Sequence, residues 1–210
     1  MSEHANWAAL LALGAFHGIN PAMGWLFAVA LGLQEHRRSA VFRALLPLAA
    51  GHALAILAVI AIALIAGFTV PPHYLRWVVA AILILVGARF LIRHPHLRWA
   101  GMRVGMADLT LWSFLVASVH GAGLMVLPVF LSMAGAAPHA DGHMHSGFGT
   151  PGVAVTATVL HAAAYLLVAA LSAWLVFEKF GLGLLRKAWF NLDVIWAGAL
   201  VMTGAATLLL

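Results

Sequence analysis

Residues 44–67 read ALLPLAAGHALAILAVIAIALIAG, an apolar run whose single ionisable residue is His52. About 20 consecutive apolar residues cross the hydrocarbon of a bilayer as an α-helix, and the stretch exceeds that length without one charge. Five further stretches behave in the same way: 6–33, 74–93, 109–134, 152–177 and 189–210. Turn and breaker residues separate them, namely Gln34 to Arg38, Thr69-Val70-Pro71-Pro72, His94-Pro95-His96, the Gly/Pro/His-rich stretch 135–151, and Gly181-Leu182-Gly183. The alternating, turn-punctuated segments of a transmembrane β-barrel are missing. The expected fold is an all-α integral membrane protein with six transmembrane helices.

The composition agrees. The chain has 210 residues, 64% hydrophobic and 8% charged, with a mean hydropathy of +1.03. Soluble domains carry roughly 25% charged residues, so soluble hydrolase or nucleotide-binding folds and disordered chains are excluded. The absence of cysteine removes disulfides, thiolate metal sites, iron–sulfur clusters and cysteine nucleophiles together. Histidine is the main chemical group present: the 12 His outnumber the 11 Lys and Arg combined.

The basic residues set the orientation, because Lys and Arg collect in cytoplasmic connections. Arg37, Arg38 and Arg43 lie in the first connection, Arg89, Arg93, Arg98 and Arg103 in or beside the third, and Lys179, Arg186 and Lys187 in the fifth. Only Arg76 falls in the second, and the fourth has none. Both termini are therefore expected outside, in the cell (inner) membrane. Trp7 and Trp77 at the outer edge, with Trp112, Trp174 and Trp189 at the inner edge, read as an aromatic belt. The high isoelectric point of about 10.8 follows from this topogenic charge, so the lipid bilayer and not nucleic acid is the expected partner. No basic residue precedes the first apolar run, which reads as a retained helix rather than a signal peptide. The stretch 90–106 reads as snorkelling arginines or as an amphipathic segment on the inner surface.

The chain also echoes itself. Phe16-His17-Gly18-Ile19-Asn20 matches Val119-His120-Gly121-Ala122-Gly123, and Gly51-His52-Ala53-Leu54 matches Leu160-His161-Ala162-Ala163. The third run of each half ends in Val86-Gly87-Ala88 or Thr203-Gly204-Ala205. Three spans per half is an odd number, so residues 1–105 and 106–210 would be two inverted three-helix repeats, an arrangement that places a binding site at their interface near the midplane.

His17, His52, His120 and His161 fall inside the apolar runs. An ionisable group there is costly and faces the bundle interior, which makes each a site candidate. Asn20 lies one turn beyond His17, and Pro21 interrupts the backbone ladder beside it. Gly14, Gly18 and Gly24, with Gly121 and Gly123, allow close approach of a backbone or ligand. The plain alternative is that each imidazole only bonds across a helix interface. Neutral imidazoles without thiolates suit nickel, cobalt, copper, zinc or iron, whereas magnesium and calcium demand oxygen ligands. In the fourth connection His139, Asp141, His143 and His145 form a short outward-facing tract able to take up metal. Met23 and Met125 share no face with their histidines and read as packing. Asp193 would be held at the inner end of the last run by Arg186, Lys187 or Arg89.

His17-Gly18-Ile19-Asn20-Pro21 and Gly51-His52-Ala53-Leu54 resemble the first- and second-helix motifs of the nickel/cobalt permeases, and the chain resembles a divergent member of the lysine-exporter superfamily. That superfamily also includes hydrogenase- and urease-associated metal transporters. The resemblance implies transport of a transition-metal ion through a central histidine site. Two departures stand out: Asn20 occupies the place of a family acid, and Met23 or Gly24 falls where a second histidine is expected. A carboxylate-poor site holds a divalent cation less strongly. The alternative expectation is a membrane metalloprotein that does not transport, with bis-histidine haem, a copper or iron oxidoreductase centre, or an assembly role. A homo-oligomer or a membrane partner subunit is compatible with either.

Overall fold

A computed structural model describes residues 3–67, 72–92, 105–135, 151–180 and 197–208. These residues form helices and helical turns, with no strand among them. In chain order the helices are α1 (Glu3–Ile19), α2 (Trp25–Glu35), α3 (Arg38–Gly67), α4 (Pro72–Ile92), α5 (Met106–Val119), α6 (Ala122–Gly135), α7 (Pro151–Leu175) and α8 (Ala197–Leu208). Two of them, α3 and α7 with its continuation, are long and apolar enough to cross a membrane, and the bent pair α5–α6 makes a third if taken as one span. Leu46, Ile62, Leu85, Leu167 and Met202 point away from the bundle and are largely exposed, as lipid-facing side chains are.

The first apolar run is not one helix. Proline lacks the N–H that would continue the ladder and pushes the preceding residue out of the helical region. Asn20 is accordingly extended, and Pro21–Met23 form a single 3-10 turn. The Asn20 side chain caps that turn by accepting the Ala22 N–H at 3.0 Å. Gly24 follows at φ 117°, a left-handed conformation that glycine adopts without penalty. The indole N–H of Trp25, the first residue of α2, donates to the Ile19 carbonyl at 3.1 Å, satisfying an acceptor that the end of α1 would otherwise leave open.

The fourth run, 109–134, reads as continuous and is not. It breaks at His120-Gly121, where Gly121 takes φ 73°, and α5 and α6 meet with a bend of 65°. Histidine and glycine are each tolerated within helices, so nothing as decisive as a proline announces this break. The second run also extends further back than its apolar part. A left-handed His36 ends α2, α3 then starts at Arg38, and Arg43 within its first turns pairs with Glu35 through two contacts of 2.8 Å. At the far end, α7 widens into a π-helical turn, Val176–Phe180. Its Glu178 meets Arg38 at 2.6 and 3.1 Å, tying the end of α7 to the start of α3.

The helices associate across the chain, not with their sequence neighbours alone. Gly14 lies against the His161 carbonyl and Gly18 against that of Tyr165, so α1 and α7 run parallel. Gly51 meets Thr110 and Phe114 while Gly123 meets Ala55 and Val59, which makes the α5–α6 pair parallel to α3. In contrast, α4 and α8 cross antiparallel: Gly87 lies against the Ala197 carbonyl, and Gly204 against that of Ala80. Small residues let these backbones approach closely, which is how helices associate in lipid. The Ser113 hydroxyl adds a 2.6 Å bond to the Leu48 carbonyl. Leu10, Met23, Leu48, Ile56, Met125 and Phe130 fill the centre. Met23 and Met125 are thus core residues, as their spacing predicts.

Candidate functional site

Three of the four histidines within the apolar runs meet. His17 comes from the last turn of α1, His52 from the middle of α3 and His161 from α7, and all three are fully buried. Their ring centres lie 5.0 Å (His17–His161), 5.2 Å (His17–His52) and 5.5 Å (His52–His161) apart. The close glycine contact between α1 and α7 brings His161 up to α1, where its Nδ1 stands 3.1 Å from the Leu10 carbonyl.

A carbonyl can only accept, so the hydrogen-bond partners assign the tautomers. His161 donates from Nδ1 to Leu10, which leaves its Nε2 as the acceptor. His17 likewise donates from Nδ1 to the Leu13 carbonyl at 2.6 Å. The nitrogens His52 Nε2 and His161 Nε2 are 3.3 Å apart, and with His161 as acceptor His52 is the donor. Its Nδ1 then bears a lone pair, buried and with no hydrogen-bond partner among the described residues. The two rings are nearly coplanar, 5° apart, and they meet close to end-on, as an N–H···N bond requires. His17 is turned by 67° and 69° to the other two, and its ring walls one side of the pair.

Tyr165 completes the group. It lies one turn after His161 on α7, stacks on His52 with centres 4.2 Å apart, and donates its hydroxyl to the Met23 carbonyl at 2.7 Å. Sequence reasoning assigned it nothing. Its signal was the i, i+4 spacing from His161, which puts both on one face, and the presence of a hydroxyl in an otherwise apolar helix.

His120 is elsewhere. It stands at the α5–α6 break, half-buried, within electrostatic range of His17, and its Nδ1 donates to the Val116 carbonyl at 2.9 Å. This repeats the bond that His17 makes four residues back at the end of α1. Asn20 is buried and its oxygen is occupied by the capping bond; its Nδ2 has no acceptor among the described residues. His139, Asp141, His143 and His145 of the fourth connection lie outside the described residues, as does Asp193.

Among the described residues, no carboxylate lies at the centre. The described acidic side chains sit at helix ends, where Glu35 and Glu178 pair with arginines and Asp108 accepts the Gly105 N–H at 2.9 Å. Among the described residues, no group of three or more His, Asp or Glu is arranged to hold a metal ion as the side chains stand. What the site offers is a pair of aligned imidazole nitrogens sharing one proton, with a third imidazole and a phenol packed around it. Comparison with protein families, with curated proteins and with solved structures finds no match to the chain.

Proposed function

We propose that the chain is a multi-pass protein of the cell (inner) membrane that carries a transition-metal ion across the bilayer through the centre formed by His17, His52 and His161. The observation that carries this reading is the meeting of three buried imidazoles from three different apolar helices. Isolated histidines that merely bond across interfaces have no reason to converge, and ionisable groups at such depth mark ion paths.

The helix directions support six spans in two inverted halves. With both ends outside, the first and fifth apolar runs point one way and the second and fourth the other, which matches the parallel pairs α1 with α7 and α3 with α5–α6. The third and sixth runs would oppose, as α4 and α8 do. The reciprocal contacts of Gly87 with Ala197 and of Gly204 with Ala80 are what an in-plane two-fold axis generates. Broken helices in corresponding places, at Asn20–Gly24 and at His120-Gly121, belong to the same transporter architecture.

In this reading the tract with His139, Asp141, His143 and His145 collects the ion outside, and His120 and Asn20, at the two breaks, support its passage. Rocking of one half against the other exposes the centre to each side in turn. Kinship to the lysine-exporter superfamily is part of the proposal and rests on the two short motifs around His17 and His52. A bare ion fits better than haem, since the His17 and Tyr165 rings packed against the pair leave no place for a porphyrin plate.

Metal binding to the detergent-purified protein, followed by uptake into proteoliposomes, tests the proposal. The doubly substituted His52→Ala/His161→Ala protein is expected to lose at least tenfold in affinity and to reduce uptake to that of protein-free vesicles. Unchanged binding in the folded double variant would remove the site.

A further inference from the structure

The alignment of His52 and His161 bears on which ion the site takes, an inference that rests on the metal-transport reading above. Both Nε2 atoms lie on nearly one line, 3.3 Å apart, with their rings coplanar. His161 already presents a lone pair along that line, because Leu10 holds its proton on Nδ1. In His52 the proton stands between the two nitrogens, while Nδ1 is bare and unpartnered among the described residues. Transfer of that proton from Nε2 to Nδ1 of the same ring, by release and recapture, exchanges one unpartnered buried group for another. It leaves two lone pairs facing each other, with no net gain or loss of protons and no electron transfer.

We infer that the ion is a monovalent d10 cation, Cu(I) or Ag(I), held in linear two-coordination between His52 Nε2 and His161 Nε2. Two metal–nitrogen bonds of about 2 Å each need the nitrogens about 4 Å apart, so each ring withdraws by only a few tenths of an ångström. A tetrahedral or octahedral divalent ion needs three or more donors converging on one point. Among the described residues no group of three or more His, Asp or Glu is placed to hold such an ion. Charge points the same way. The cost of burying an ion rises with the square of its charge, so a dication is about four times as expensive as a monocation where no carboxylate compensates it. The acidic groups of the described structure are all at helix ends.

The test uses the full-length protein with His139, His143 and His145 replaced by Ala, so that the outer tract contributes nothing. Ag(I), and Cu(I) kept reduced under anaerobic conditions, are titrated against Ni(II), Co(II) and Zn(II). The expected result is one monovalent ion per chain, bound at least a hundredfold tighter than any of the divalent ions. His52→Gln and His161→Gln each weaken that binding a hundredfold or more, and His17→Ala less than tenfold. X-ray absorption of the Cu(I)-loaded protein, which needs no variant, is expected to show two nitrogen neighbours and the edge feature of two-coordinate Cu(I). A first shell of three or four donors, or a divalent ion bound as tightly, overturns the inference and leaves metal transport standing. Failure to bind any ion of either charge overturns both.

Discussion

The Tyr165 hydroxyl donates to the Met23 carbonyl at 2.7 Å, so α7 holds the turn that interrupts the first apolar run. The same ring lies flat on His52. One side chain thus connects the break between α1 and α2 to the imidazole centre.

Removing only the hydroxyl separates these two contacts. Tyr165→Phe keeps the ring on His52 and leaves a buried carbonyl short of a donor, with an expected loss of about 0.5–1.5 kcal/mol in reversible unfolding from detergent micelles. Tyr165→Ala also empties the site of the ring, and its loss is expected to reach about 3–5 kcal/mol. Equal losses in the two variants would show that the hydroxyl, not the ring, dominates.

The glycine contacts make a sharper test of the helix pairing. A Cβ at Gly14 would strike the His161 carbonyl, and one at Gly51 the Thr110 carbonyl, whereas a Cβ at Gly198 meets nothing within 4 Å. Gly14→Ala and Gly51→Ala are expected to cost about 1–3 kcal/mol each, because backbone must move. Gly198→Ala is expected to be neutral or to stabilise by up to about 1 kcal/mol through helix propensity. Thermal unfolding of the three variants side by side checks the order.

The native chain has no cysteine, so one introduced thiol reports its own side of the membrane. Glu3→Cys, at the start of α1, is expected to react with a membrane-impermeant maleimide in intact cells. Ser39→Cys, at the start of α3, is expected to react only after permeabilisation. The reverse pattern would invert the proposed topology.

The Arg38–Glu178 pair is short but its arginine is 70% exposed. Exposed ion pairs contribute about 0–1 kcal/mol and are screened by salt. Glu178→Gln is therefore expected to change stability by less than about 1 kcal/mol, and by nothing measurable in 1 M salt. A larger loss, measured by unfolding at low and high salt, would mean that the π-helical turn itself depends on the pair.

The apolar runs could be read directly, since a helix in lipid needs only length and freedom from charge, and α3, α4 and α7 lie where those runs are. Pro21 could be read too, because its missing N–H acts locally. His120-Gly121 could not: each residue is compatible with a helix, and the break depends on what α6 packs against. Likewise, burial in an apolar run singled out His17, His52, His120 and His161 as equals. Which three come together is decided by where α1 meets α7 and where α3 meets α7, a relation between segments more than a hundred residues apart. Tyr165 carries no mark in the sequence, because an aromatic ring in an apolar helix ordinarily signals packing. Its importance lies in the partner of its hydroxyl, a backbone atom of a distant turn.

The crosswise pairing of α1 with α7 and of α3 with α5 also orders events during synthesis. On the proposed six-span reading, neither α1 nor α3 finds its parallel mate until the ribosome has passed well beyond residue 105, so both would wait in lipid with their glycine faces uncovered. Contacts so distant along the chain form late and slowly. On that reading the nascent chain has fewest of its native contacts midway through translation, and the arrival of α7 ends that interval. A chain without α7 would lack the helix on which both α1 and α3 pack, and with it the element that brings His17 and His52 together.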